Sequence, residues 1–156
     1  MNEKQYFLAA LIYDYLDFLE KIKGLSKNTT KAYLRDLSKF SKFLNSIDIN
    51  NLENVTEGIC STWIADLFQD NVSARSIQRH ISSAKGFFSY LKKSGLIQNS
   101  PFELINSPKS PNYLPNILSP EEVSQLLNFK PKNSQDKRDF AIIELIYSSG
   151  LRVSEA

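Results

Sequence analysis

Apolar residues recur at helical spacing in four successive segments of residues 1–98. Because positions three or four apart share one face of an α-helix, each run predicts an amphipathic helix with one buried side. The four apolar stripes are Leu8, Leu11, Ile12, Tyr15, Leu19 and Ile22; Tyr33, Leu37, Phe40 and Leu44; Ile59, Trp63 and Leu67; and Ile77, Ile81, Ala84, Phe88 and Leu91. No hairpin signal or internal repeat is visible, so the predicted fold class is all-α, beginning with a four-helix domain.

Residues that commonly cap helices mark the ends of these segments. Ser26, Thr56 and Ser73 precede the second, third and fourth runs, and each has a side chain preferred at a helix N-cap. Gly24 and Gly95 follow the first and fourth runs, where glycine often ends a helix. The four helices are therefore predicted to fill residues 1–98.

A proline-rich segment follows the four helices. Residues 99–118 contain four of the six prolines of the chain. Each proline blocks helix continuation and biases the preceding residue toward extended geometry. We interpret 99–118 as an interdomain linker, with a second domain beginning at residue 119 and continuing through 156.

Two further helices are predicted after the linker. Ser119, Pro120 and Glu122 provide an N-cap, a first-turn proline and a capping box for a helix that runs to about Phe129. A second helix, over about 136–149, is apolar on almost all sides, which is typical of a fully buried helix. Since the packing partners of this helix are absent from the sequence, we expect residues 119–156 to be mobile, aggregation-prone or docked in a non-native way.

The composition excludes several classes of protein and site. No run approaches the roughly 20 apolar residues of a membrane span, and the N-terminus lacks the features of a signal peptide. Cys60 is the only cysteine, which excludes an internal disulfide and fits a reducing cytoplasm. His80 is the only histidine, so a Cys/His metal cluster is excluded. We interpret Cys60 as a small buried hydrophobe, His80 as a packing or surface residue, and Phe40, Trp63 and Phe88 as core.

The net charge of +2 conceals a block pattern. Residues 21–45 hold seven bases and one acid, residues 71–102 hold five bases and no acid, and residues 46–70 hold five acids and no base. On a helical wheel the bases of the second and fourth helices lie opposite their apolar stripes. The small residues Ser82 and Gly86 share the fourth helix's basic face, where another backbone is expected to approach. Side by side, the two faces would form a surface for a polyanion.

The residue types suggest how such a surface would divide its contacts with duplex DNA. Lysines suit phosphates, which give affinity without sequence choice, and Thr29 and Thr30 suit phosphates near a helix start. Arg75 and Arg79 are candidates for a groove, where arginine reads guanine O6 and N7. The candidate DNA-binding residues are Lys27, Thr29, Thr30, Lys31, Arg35, Lys42, Arg75, Arg79 and Lys93. The alternative is that both faces are solvated surface, as most charge runs are.

The most specific motif lies at the end of the sequence. The apolar helix ends at Gly150, and Arg152 is predicted to open another helix, where free backbone N–H groups and a guanidinium both favour a phosphate. The segment Gly150-Leu151-Arg152-Val153-Ser154-Glu155 closely resembles the first catalytic-arginine motif of the tyrosine recombinases, particularly their Xer and phage-integrase branch.

The resemblance continues in order along the chain. Residues 25–37 are similar to the second helix of that family's core-binding domain, and 73–91 to its fourth. The pair Pro108-Lys109 matches the Pro-Lys that follows, whereas Asn99-Ser100-Pro101 departs slightly from the family's Asn-Pro. Residues 114–127 resemble the beginning of the catalytic domain. The similarity therefore covers essentially the whole sequence.

The resemblance implies a SAM-like four-helix core-binding domain and the first helices of a catalytic domain, which together clamp duplex DNA. Members cut each strand with a tyrosine hydroxyl, form a 3′-phosphotyrosine link, and exchange strands in a homo- or hetero-tetrameric synapse without metal or cofactor. Arg152 would bind the scissile phosphate and Glu155 would support it. The nucleophile and the remaining catalytic residues lie beyond Ala156 in the family's order. The 156 residues alone are thus predicted to bind a recombination site without cutting it.

Several functions remain open. The compact layout most resembles the Xer type, which resolves chromosome dimers at cell division and implies a location at the nucleoid in the bacterial cytoplasm. A mobile-element or integron integrase would share this architecture. A stand-alone DNA-binding protein would bind sites without cutting, and a helical interaction module would bring its basic faces to an acidic protein partner. A steep salt dependence of DNA affinity would favour the DNA-binding functions over the helical interaction module.

Overall fold

The computed structural model describes residues 3–108, 117–128 and 130–155. These residues form α1 (Glu3–Lys21), α2 (Lys27–Ser46), α3 (Glu57–Gln69), α4 (Ala74–Lys93), α5 (Pro120–Leu127) and α6 (Ser134–Ser149), with a 3-10 turn at Leu52–Asn54. No strand occurs among the described residues, and the all-α prediction is confirmed. The chain divides into two compact units, Met1–Pro111 and Asn112–Ala156. No helix of the described ranges is long and apolar enough to cross a membrane.

The predicted helix starts are confirmed by their cap hydrogen bonds. The side chains of Ser26, Thr56 and Ser73 each accept a hydrogen bond from the backbone N–H three residues later. Ser119 and Glu122 form the reciprocal capping box that the sequence predicts, with Pro120 in the first turn. These starts follow from local chemistry, because each side chain satisfies a backbone donor that has no partner within the helix.

Aromatic side chains fill the centre of the first unit. Phe40 packs edge to face against Trp63, Phe88 and Phe102, at ring-centroid distances of 4.7, 5.9 and 5.6 Å. All four residues are almost completely buried. The interpretation of Phe40, Trp63 and Phe88 as core is therefore confirmed, and Cys60 is fully buried beside them.

The segment after α4 packs back onto the same core. Phe102 and Ile105, which the sequence analysis assigns to the linker, are buried, and the side-chain amide of Gln78 donates a hydrogen bond to the carbonyl oxygen of Pro108, at 2.6 Å. The prolines prevent a helix here, but they do not prevent apolar side chains between them from reaching the core. Residues 99–108 thus belong to the packing of the first unit.

One small residue has a different neighbour from the one expected. A Cβ atom at Gly86 would clash with Tyr15 Oη, so the group that approaches this position is an α1 side chain and not a backbone. The Tyr15 ring also packs against Phe87 and Tyr90, at 5.7 and 5.5 Å. The prediction for Ile22 is also wrong, since α1 ends at Lys21 and Ile22 is 71% exposed.

The second unit buries little of its apolar surface. No described residue of α5 or α6 is buried, and Ile142, Leu145 and Tyr147 are 43%, 49% and 60% exposed. Helix α6 begins at Ser134, two residues before the predicted start, because Asn133 caps it by accepting from the Asp136 N–H. The composition of α6 is typical of a buried helix, but its apolar side chains are partly exposed among the described residues.

Candidate nucleic-acid interface

The two helices with predicted basic faces, α2 and α4, lie side by side. Asp36 of α2 contacts Arg79 of α4 at 2.8 and 3.0 Å, and the rings of Phe40 and Phe88 pack edge to face below this contact. The two apolar stripes therefore share one core. Bases on the outer sides of both helices belong to the surface of a single unit.

Most of the candidate bases on these helices are exposed and unpaired. Among the described residues, no carboxylate oxygen lies within 4.0 Å of the charged nitrogens of six of them. These six exposed side chains are Lys27, Lys31, Arg35, Lys42, Arg75 and Lys93. Their charges can attract an anion, because no carboxylate of the described residues offsets them.

Other bases pair with acids of their own unit. Lys39 contacts Asp70 at 2.9 Å, and Lys92 contacts Glu103 at 3.4 Å. All four side chains are at least 43% exposed, so each pair is worth well under about 1 kcal/mol and opens readily. Acids outside α2 and α4 thus offset only a minority of the bases on these two helices within the described residues.

Arg79 differs from every other base on these helices. Its Nε and Nη2 atoms donate to Oδ2 and Oδ1 of Asp36, whose side chain is only 1% exposed. Hydrogen bonding to Asp36 raises the pKa of Arg79 above its ordinary value. Sequence reasoning missed Asp36, which it counted only as one acid within a basic block. Its position next to Leu37, at the edge of the apolar stripe, was the available signal.

His80 lies behind this ion pair as a packing residue. Its ring packs edge to face on Trp63, with centroids 5.7 Å apart, and is 7% exposed. Its Nδ1 atom is 3.2 Å from Asp36 Oδ1 but is not aligned for a hydrogen bond. Burial lowers the pKa of His80 below 6.5; Asp36 opposes this shift, whereas Arg79 and Lys39 add to it. Burial likewise raises the pKa of the Cys60 thiol to about 12, so this thiol stays protonated.

The shifted pKa of His80 predicts a stability that depends on pH. Because the unfolded chain binds this proton more readily, the free energy of unfolding is highest above pH 6.5 and decreases as pH falls through 6.5 toward the folded-state pKa. Denaturant titrations of the wild type between about pH 7.5 and 5.5 should show this loss of stability. Carboxyl groups ordinarily titrate below this pH range and should contribute little to it. The His80→Gln variant should lack it; a wild-type stability that rises on acidification would contradict the assignment.

The candidate threonines and the distal lysine differ in their placement. Thr30 is buried and its hydroxyl donates to the Lys27 carbonyl, which argues against the predicted phosphate contact. Thr29 is half-buried, and its hydroxyl is 3.0 Å from that of Ser26. Lys93 is exposed, but Tyr15 lies over Gly86, between Lys93 and Arg75 on the same helical stripe. The basic face of α4 is therefore interrupted, with Arg75 and Arg79 in its first half.

Arg152 lies in the second unit, in a turn and not in the helix that the sequence predicts. Gly150 ends α6 in the left-handed region, at φ 64°. The Arg152 side chain is 82% exposed, its Nη1 contacts Glu155 Oε1 at 3.0 Å, and its backbone N–H donates to Glu155 Oε2 at 2.8 Å. The same glutamate therefore orients both the backbone and the guanidinium of Arg152. In the described ranges no group of three metal-ligating side chains occurs.

Comparisons with known proteins show the family of this chain. Residues 12–95 match the family model described as the phage integrase, N-terminal SAM-like domain. The chain is 31% identical to tyrosine recombinase XerC of Oceanobacillus iheyensis, over 90% of this chain and 47% of that protein. It is 34% identical to tyrosine recombinase XerD of Staphylococcus haemolyticus, over 95% and 50%, and 38% identical to a putative tyrosine recombinase of Caldanaerobacter subterraneus, over 94% and 50%.

A solved structure is also similar. The integrase from mycobacterium phage Brujita aligns over 98% of this chain and 48% of its own, with a TM-score of 0.58 and 23% identity. That likeness concerns the fold. The chain spans about half the length of the curated relatives it matches.

Proposed function

Because the chain belongs to the phage integrase family through its N-terminal SAM-like domain, we propose that it binds duplex DNA as part of a site-specific tyrosine recombinase. One observation carries the proposal. Helices α2 and α4 pack against each other, and their exposed bases, such as Lys31, Arg35 and Arg75, have no carboxylate partner among the described residues. Such a surface suits a polyanion that releases counterions on binding.

The chemistry of strand cleavage would involve Arg152. Its guanidinium would donate hydrogen bonds to non-bridging oxygens of the scissile phosphate and stabilise the charge that develops there. Glu155 would hold the guanidinium in place through the 3.0 Å contact. The nucleophile would be a tyrosine that forms a 3′-phosphotyrosine link, and no tyrosine follows Arg152 in these 156 residues. For this chain alone we therefore propose binding without cleavage, which predicts no covalent adduct on a nicked suicide substrate.

For the whole protein we propose a recombinase of the Xer type. Relatives named XerC and XerD support it, and it implies action in a homo- or hetero-tetrameric synapse at a recombination site, in chromosome segregation at the nucleoid of the bacterial cytoplasm. An integrase of a mobile element or an integron is the alternative, supported by the fold of the phage integrase. A non-catalytic DNA-binding protein and a helical module for an acidic protein partner are the further alternatives.

The DNA-binding proposal predicts a charge-specific loss of affinity. The Lys31→Gln/Arg35→Gln double variant is expected to bind a random-sequence duplex at least about tenfold more weakly at moderate salt. The slope of log K against log salt should also fall by about 2, because each phosphate contact contributes about 0.9. Fluorescence anisotropy over a series of salt concentrations measures both quantities.

A matched variant separates a local surface from net charge. Lys21→Gln/Lys23→Gln also removes two positive charges, at the C-terminal end of α1 and just after it, where Lys21 already pairs with Asp17 at 2.9 Å. This control should retain nearly the wild-type slope. Equal losses in both variants, or a wild-type affinity that stays flat with salt, would contradict the proposal and favour an acidic protein partner.

A further inference from the structure

Asp36 holds Arg79 in a geometry that no other base on α2 or α4 has in the described part of the chain. The carboxylate is 1% exposed and accepts from two nitrogens of one guanidinium, at 2.8 and 3.0 Å. The pairs of Lys39 and Lys92 are single contacts between exposed side chains. A two-point contact with a buried carboxylate fixes both the position and the plane of the Arg79 guanidinium.

The bonding pattern leaves one edge of the guanidinium available. Nε and Nη2 form the side edge, and this edge is used by Asp36. The end edge, formed by Nη1 and the second hydrogen of Nη2, keeps two parallel donors, and the side chain is 42% exposed. Two parallel donors in one plane match the O6 and N7 acceptors of guanine in the major groove.

The ion pair also changes what Arg79 contributes to affinity. Since the Asp36 charge offsets the guanidinium charge, Arg79 adds little to the release of counterions from DNA. Its donors nevertheless keep their direction, and little side-chain entropy remains to be lost on binding. Arg75, which is exposed and has no carboxylate partner in the described ranges, has the opposite properties.

We infer that Asp36 is a positioning residue that makes Arg79 the base-reading group of this surface, directed at a guanine, while unpaired bases such as Arg75 contact phosphates. This inference rests on the proposed DNA-binding function and extends it to sequence choice. It assigns Asp36 a role in specificity, although an acid at a DNA surface would otherwise only weaken binding.

The test is selection from a pool of duplexes with a randomised central segment, followed by salt titrations on selected and random duplexes. The wild type should select a guanine at one position, with about a tenfold preference over other bases. Arg79→Gln should lose this preference with almost no change in salt slope. Arg75→Gln should lower the slope by about one and keep the preference.

Asp36→Asn is the most informative variant, because it should change affinity for random duplexes and preference for guanine in opposite directions. Releasing the Arg79 charge should strengthen binding to random duplexes and steepen the salt slope, while the guanine preference decreases. Arg79→Lys keeps a cation opposite Asp36 but lacks the planar fork, so it should fold like the wild type and still lose the preference. Thermal unfolding of each variant verifies that the compared proteins are folded.

Two results would overturn the inference while leaving DNA binding intact. One is a guanine preference that survives in folded Asp36→Asn and Arg79→Lys; the other is steep, salt-dependent binding by the wild type with no base preference. Absence of any salt-dependent DNA binding by the wild type would instead remove the proposed function itself. The two failures are thereby distinguishable.

Discussion

Replacing Phe102 by alanine is expected to lower the free energy of unfolding by about 3–5 kcal/mol, the usual cost of removing a buried phenylalanine ring. The Phe102 side chain is fully buried. Its ring centroid lies 5.4, 5.6 and 6.2 Å from those of Phe88, Phe40 and Trp63. The variant leaves a cavity that this aromatic cluster cannot close. Denaturant titration followed by the fluorescence of Trp63, the only tryptophan, measures the change.

Leu104→Ala is the matched control for this prediction. Leu104 belongs to the same segment but is 72% exposed, so its truncation should change stability by less than about 0.5 kcal/mol. If Phe102→Ala proved as mild as Leu104→Ala, the segment after α4 would behave as a linker and not as part of the first unit.

Arg79→Ala is expected to be the second costly substitution, at roughly 2–4 kcal/mol, because it leaves the buried Asp36 carboxylate without its charge partner. The lower end of this range allows for solvent screening of a guanidinium that is 42% exposed. Chemical denaturation at about pH 8 provides the measurement, because this pH lies well above the ordinary pKa of histidine.

Two comparisons define the origin of that loss. Lys39→Ala removes an exposed partner of Asp70 and should cost less than about 1 kcal/mol. Adding Asp36→Asn to Arg79→Ala should recover part of the stability, because the buried charge is then gone. A double variant less stable than Arg79→Ala would indicate that Asp36 is stabilised by contacts other than this ion pair.

The helices of this protein are predictable from sequence because their signals are local. Ser26, Thr56, Ser73 and Ser119 each satisfy a donor three residues away, and the apolar stripes need only the helical period. The burial of Phe102, by contrast, cannot be predicted from local signals. A proline indicates where a helix cannot continue. Whether the extended segment after it packs against the core depends on tertiary contacts.

The candidate site is predictable in its residue types and less so in its geometry. The bases of α2 and α4 follow from the wheel, whereas the contact of Asp36 with Arg79 joins residues 43 positions apart and depends on how two helices pack. The wheel also places Gly86 on an open face, although Tyr15 from another helix covers it. Arg152 was found by motif alone, and its pairing with Glu155 supplies the geometry that the motif lacks.

The hydrogen bond between Gln78 and Pro108 fixes the position of the last described residue of the first unit. Helix α4 ends at Lys93, but the chain doubles back and Pro108 lies next to Gln78, 15 residues before the helix end. At 1.5 Å per residue this is about 22 Å along the helix axis. The segment 94–108 therefore runs back toward the half of α4 that carries Arg75 and Arg79. Lengthening the chain between Lys93 and Pro108 would therefore disturb the packing of Phe102 and Ile105 against the core.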